Sequence, residues 1–304
     1  MSRQGPDDFT PRRYEVRHRT TYTYDDDVTT CYERGFLRPR ETPTQRVVSN
    51  DVRITPEPDL LDEHTDHFGN HSFYVEVRTP HQVLEVTKSS VVHVAWPEVD
   101  LAGLNRWTVE SAAEAIRDTG DPVTRATYLL PSPLVEVDEA VKAYAASVLA
   151  PEAPLGDAIV ALTHAIFTDF AYRSGVTNVR TTLQDLLELR QGVCQDFTHL
   201  ALGCLRAAGL PGRYVSGYLE TSPPPGQQRL EGSDASHAWA SVLTPGGDWV
   251  DLDPTNDHLA DSRYVVTAWG RDFRDVSPLK GVIYTESTTS SLDVGVDVTR
   301  LAEL

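Results

Sequence analysis

Cysteine is scarce in this 304-residue chain, which holds only Cys31, Cys194 and Cys204. Three is too few, and too odd a number, for a disulfide framework. If Cys194 and Cys204 share one helix, they stand roughly 15 Å apart along its axis, outside disulfide reach. Lysine is as rare, with Lys88, Lys142 and Lys280 alone among 27 basic residues; an arginine-favouring composition is the plainest reading. No apolar run approaches the roughly 18–20 residues of a bilayer span. The N-terminal MSRQGPDDFTPRRYEV lacks the apolar stretch of a secretory signal, so the expected location is cytoplasmic. Basic residues are also outnumbered, 27 against 45 acidic, for a net charge of −18. That field repels polyanions, so neither nucleic acid nor an anionic membrane is expected as a partner.

The composition, 40% hydrophobic and 24% charged, is that of an ordinary globular protein, and the length suggests two domains. Residues 13–95 read as β throughout. Tyr14, Val16, His18, Thr20, Tyr22 and Tyr24 alternate with polar neighbours, and runs at 46–54, 72–78, 82–87 and 90–94 follow between turn signals. Residues 96–136 read as a connecting region, with Thr108 capping a short helix. The period then becomes helical over 137–148, over a helix capped by Asp157, over one opening at Thr182 with Asp185 three residues on, and over 194–208. Gly209 and Pro211 stop the last of these. Strands are expected again at 213–220, 237–243, 248–253, 281–285 and 291–299. Helices followed by strands predict an α+β class, with an all-β sandwich-like N-terminal domain and helices packed on an antiparallel sheet in residues 137–304.

The informative stretch is RQGVCQDFTHL, residues 190–200. Gln191-Gly192-Val193 breaks one helix and Cys194 opens the next, where unpaired N–H groups and the helix dipole favour a thiolate. The same N–H groups suit an oxyanion. A thiol nucleophile needs a base, and the base an orienting acceptor. His237 begins one expected strand and Asp253 ends the next, directly before Pro254. Asp251, two residues earlier on the same face, competes for the acceptor's place.

GVCQDF, the glycine-to-tyrosine run GRYVSGY to 218, SHAWASV and WVDLDPTND together resemble the transglutaminase-like superfamily, and within it the bacterial branch in which a β domain precedes the core. HRTTYTYDDDV (18–28), LRPRETPTQ (37–45), DHFGN (66–70), TPHQVLEV, FAYRSGVTNVRTTLQDLL and GRDFRDVSPLKGV extend the likeness over roughly residues 13–300. The resemblance implies a papain-like fold with Cys194 as nucleophile, His237 as base and acid, and Asp253, which directly precedes Pro-Thr-Asn, as the orienting residue. It implies acyl transfer on an amide through a thioester, with no cofactor and with a protein or peptide substrate. Gln191 or Tyr172 would supply a second oxyanion donor, and spacing does not choose between them.

Trp239 and Tyr218, with Tyr214 and Trp249, fall on strands flanking these residues; they read first as core packing and second as candidates to line a substrate groove, beneath a Pro/Gly-rich flap at 221–236. His64, His67 and His71 have metal-like spacing but lie in a polar loop, so no metal site is assigned. His199 falls about 140° around the helix from Cys194 and is read as packing or surface, and Cys204 as core. Water as acceptor would make the same three residues a peptidase or amidase, and a non-catalytic binding module is the third reading. The shortage of lysine would suit an enzyme that avoids crosslinking itself.

Overall fold

The computed structural model describes residues 4–221 and 236–302, so the expected flap lies, but for its two end residues, outside the described residues. Five strands come first: β1 (Arg12–Gly35), β2 (Gln45–Thr55), β3 (Leu60–Thr65), β4 (His71–Val77) and β5 (His81–Val94). The helical stretch holds α1 (Leu101–Leu104), α2 (Val109–Thr119), α3 (Pro122–Leu129), α4 (Glu139–Val148) and α5 (Leu155–Asp169). It continues through β6 (Ala171–Tyr172), α6 (Leu183–Leu189), β7 (Gln191–Gly192) and α7 (Cys194–Ala207). Then come β8 (Gly212–Leu219), β9 (Ser236–Leu243), β10 (Trp249–Asp253), β11 (His258–Leu259) and β12 (Tyr264–Gly270). The chain closes with α8 (Phe273–Val276), β13 (Leu279–Thr285) and β14 (Ser290–Arg300). No helix among the described residues is long and apolar enough to cross a membrane.

Local chemistry sets most helix ends. The Thr108 hydroxyl accepts from Ser111 N at 3.1 Å, Asp138 from Val141 N at 2.8 Å, and Thr182 from Asp185 N at 3.1 Å. Gly209, at φ +78°, ends α7 where a side chain would strain the backbone. Asp157 does not cap its helix: α5 starts two residues earlier behind Pro154, and Asp157 lies in the first turn, bonded by Asn105 at 2.9 Å.

The first sheet has the order β2-β5-β1-β4-β3, with β13 and β14 also paired to β1. This departs from the expected division, which put all of 137–304 in one unit. Tyr14 pairs with Arg300 and Gly35 with Leu279, so the chain's end completes the N-terminal sheet. Period-two alternation marks a strand without naming its partner, and β1, 24 residues long, has a second edge to satisfy.

The second sheet is antiparallel, in the order β11-β10-β9-β8-β12. Its registers divide its side chains between two faces. Tyr214, Ala238, Ala240, Val242 and Leu252 enter the main core with Phe197, Leu200 and Cys204 of α7 and the buried faces of α4 and α5. Val215, Trp239, Tyr264 and Val266 form a separate cluster on the other face. The two sheets meet over Tyr14, Val16, Val92, Val94, Tyr218, Val265, Val296 and Val298. Two buried amides tie the junction through the backbone of β12: Gln45 accepts from Val266 N and donates to Val266 O, both at 2.8 Å, while Asn70 does the same with Trp269 at 2.9 and 2.8 Å.

Candidate active site

Cys194 is the first residue of α7, and the preceding loop places it. Arg190 ends α6 in the left-handed region at φ 53°, and the next two residues pair in parallel with β6, Ala171 to Gln191 and Tyr172 to Gly192. Asp196 then reaches back to accept from Val193 N at 2.8 Å and from the Thr177 hydroxyl at 2.7 Å. A Cβ on Gly192 would lie 2.8 Å from that carboxylate, so only glycine leaves room for the cap. Val193 O takes the N–H groups of Asp196 and Phe197, and the Cys194 N–H has no acceptor among the described residues.

His237 and Asp253 meet at one end of the second sheet. His237 Nε2 lies 2.7 Å from Asp253 Oδ2, which leaves Nδ1 for other chemistry, and Cys194 is a hydrogen-bonding and charge partner of the same imidazole. Asp253 has no exposed surface and is heavily bonded. It accepts from Tyr264 Oη at 2.5 Å, Asn256 Nδ2 at 2.7 Å and Thr255 N at 2.9 Å. Burial alone would raise its pKa, but the charge and hydrogen bond of His237 with the Asn256 and Tyr264 bonds hold it below the usual carboxylate range. Burial likewise pulls the imidazole down, yet Asp253 and then Cys194 reverse this and raise His237 to about 10. Burial first, and Asp253 second, keep the Tyr264 phenol well above its ordinary value, so it stays a donor.

The competing carboxylate has another role. Asp251 accepts from Trp239 Nε1 at 2.8 Å and from the Ser241 hydroxyl, both inside the core. Trp239 in turn stacks near His237, centroids 6.1 Å apart at 29°, and meets Tyr264 edge-on at 5.1 Å. Gly217 makes this possible, since a Cβ there would fall 2.6 Å from the indole.

Of the two readings of Trp239 and Tyr218, core packing holds and the groove does not. Trp239 is fully buried, and Tyr218 is buried at the sheet junction with its hydroxyl 3.1 Å from His18 Nδ1. Alternation identified their inward face without saying whether that face met a groove or a core. Tyr172 is exposed at the mouth beside Phe197, its phenol pushed up by burial and then by Cys194. Gln191 Oε1 accepts from Arg173 at 3.2 Å. His199 packs in the core, where Nε2 accepts from Phe273 N at 3.2 Å, and burial lowers it to about 4. Cys31 and Cys204 are buried, and burial pushes both thiols up. Sequence reasoning missed Tyr264, Asn256 and Asp196. Asn256 and Asp196 carried a signal, standing three residues past Asp253 and at the third position of α7. Tyr264 sits on β12, buried on both faces, which shows no alternation to detect.

The bacterial transglutaminase-like N-terminal region family matches residues 14–93, and the transglutaminase-like superfamily family matches residues 142–254. An uncharacterized protein of Mycobacterium tuberculosis is 47% identical over 295 residues, covering 94% of this chain and 92% of its own length. A protein-glutamine gamma-glutamyltransferase of Pseudomonas aeruginosa is 35% identical over 71 residues, 23% of this chain and 11% of that protein. A crystal structure from Cytophaga hutchinsonii, provisionally named a cysteine protease, superposes with a TM-score of 0.75 at 20% identity, covering 97% of this chain and 94% of that one; it shares the fold.

Proposed function

The chain belongs to the transglutaminase-like superfamily, and from that premise we propose that it transfers the acyl group of a carboxamide to an amine through a thioester on Cys194. The observation that carries this reading is the meeting of His237 with buried Asp253, 2.7 Å away, and with the Cys194 thiol, contacts that raise the imidazole to about 10.

In the first half-reaction Cys194 Sγ attacks the carboxamide carbonyl, and the oxyanion is received by the Cys194 N–H, with Gln191 or Tyr172 beside it. His237 Nδ1–H protonates the departing nitrogen, the C–N bond breaks and ammonia leaves. In the second half, an incoming amine gives its proton to His237 and attacks the thioester, breaking the C–S bond and restoring the thiolate–imidazolium pair. Asp253 keeps its charge throughout and fixes the ring through Nε2, with Tyr264 and Asn256 fixing the carboxylate. A glutamine-bearing protein or peptide is the proposed acyl donor.

Lysine usage favours an amine acceptor over water. Of three lysines Lys88 is buried, which leaves only Lys142 and Lys280 as exposed side-chain amines to compete with a substrate. The test pairs incorporation of a fluorescent amine into a glutamine-rich casein with cleavage of a peptide library. Amine incorporation, lost in Cys194→Ala, is expected; peptide cleavage without incorporation would make water the acceptor, and neither activity would refute the enzyme.

A further inference from the structure

Four of the chain's five tryptophans line one cavity, and it is not at the thiol. Trp96, Trp107, Trp249 and Trp269 surround a space of about 860 Å³ between the first sheet's Thr42–Thr44 loop, α1 and the 244–248 turn of the β9–β10 hairpin. His237 is the second residue of β9 and Asp253 the last of β10, so the cavity occupies the opposite end of the hairpin. The strand from His237 to Leu243 spans about 20 Å.

Arg213 stands in the wall. Its guanidinium carbon is 4.2 Å from the ring centre of Trp249 and 3.9 Å from that of Trp269, so indoles take up its contacts. Arg40 lies 3.6 Å from Trp269 as well, but that guanidinium is already bonded to Asn70 and Phe68 O. Arg213 is different: it makes no hydrogen bond or ion pair among the described residues, and its Nε is sealed from solvent without a partner. Asp251, a buried carboxylate, interacts by charge with Arg213 but has both oxygens committed to Trp239 and Ser241. Asp100 caps Gly103 N at 2.8 Å, and Asp248 is exposed on the turn. A guanidinium whose Nε is sealed from solvent and whose faces are covered by two indoles lacks the acceptors that such a group ordinarily finds.

We propose that this cavity binds an organic carboxylate with a flat apolar body, the carboxylate meeting the Arg213 edge and the body lying among the indoles. In-plane pairing is the geometry in which guanidinium and carboxylate bond best. The volume falls within the range of about 300–1,000 Å³ typical of small-molecule sites. The site is separate from the cleft and independent of the chemistry assigned to Cys194.

The tryptophans supply the readout. Titration of the full chain with 4-phenylbutyrate, followed by tryptophan fluorescence and calorimetry, is expected to saturate. The neutral 4-phenylbutanol should bind at least about tenfold more weakly. Arg213→Met should reduce the acid to the affinity of the alcohol; should that variant fail to fold, the acid–alcohol comparison on the unaltered protein decides alone. Equal affinities, or no saturation up to about 10 mM, would overturn the proposal. So would protection of Cys194 from iodoacetamide by the acid, which would put the probe in the cleft.

Discussion

The charge held on His237 has a consequence for stability that can be measured without a substrate. The imidazole titrates at about 10 in place of its ordinary 6.5, because Asp253, 2.7 Å away, and Cys194 outweigh the burial that would lower it. A pKa raised on folding gives stability that is complete below the unfolded value and lost as pH rises through the folded one. Between pH 6.5 and 9.5 that linkage removes roughly 3–4 kcal/mol through this one group. Asp253 is shifted the opposite way, so its contribution is complete in this window and is lost only in acid. Urea unfolding at both pH values, on Cys194→Ala and on Cys194→Ala/His237→Gln, isolates the imidazole, because the thiol's own proton is then absent from both proteins. The self-repulsion of a chain with net charge −18 acts on both proteins and subtracts out. The single variant, whose imidazole keeps Asp253 as its partner, should lose about 2 kcal/mol more than the double variant. Losses equal to within about 1 kcal/mol would mean that the imidazole is not held charged, and the reading of the site would fail.

Four other outcomes follow from the geometry. Asp251→Ala should destabilise the fold by about 1–3 kcal/mol, by orphaning the Trp239 N–H and the Ser241 hydroxyl, yet leave the pH profile of Cys194 alkylation in place. Asp253→Asn should remove alkylation at low pH, and mass spectrometry of the labelled peptide separates the two cases. Gly192→Ala should displace the Asp196 carboxylate, lower stability by about 1 kcal/mol and slow Cys194 alkylation several-fold. A fragment of residues 137–304 should aggregate on size exclusion, because β13 and β14 would lose β1; a monomeric, cooperatively folded fragment would contradict the sheet assignment.

What was legible in the sequence was mostly local. A cap needs only a side chain and an N–H three residues away, so Thr108, Thr182 with Asp185, and Gly209 marked helix ends from the sequence alone. Asp157 misled because the helix already begins at Leu155, directly after Pro154, which offers no side-chain cap. Strand partners were not legible. Nothing in residues 279–300 points to β1 as their neighbour, since the pairing spans nearly the whole chain. At the site, spacing placed Cys194, His237 and Asp253 at element ends but left Asp251 and Asp253 equivalent on one face. The resemblance preferred Asp253, and hydrogen bonding separates the pair physically: Trp239 and Ser241 occupy one carboxylate, His237 and Tyr264 the other. For Trp239 and Tyr218 core packing was the better reading but not a certain one, because a period of two reports a face and not what covers it.

The central claim is that Cys194 and His237 form an activated thiolate–imidazolium pair. Its most direct test is brief iodoacetamide labelling at pH 6, with the modified cysteine mapped by peptide mass and buried Cys31 and Cys204 serving as internal controls. The account predicts labelling of Cys194 at least about tenfold faster than a free thiol, and loss of that advantage in His237→Ala. Labelling no faster than a free thiol, or unchanged in His237→Ala, would contradict it.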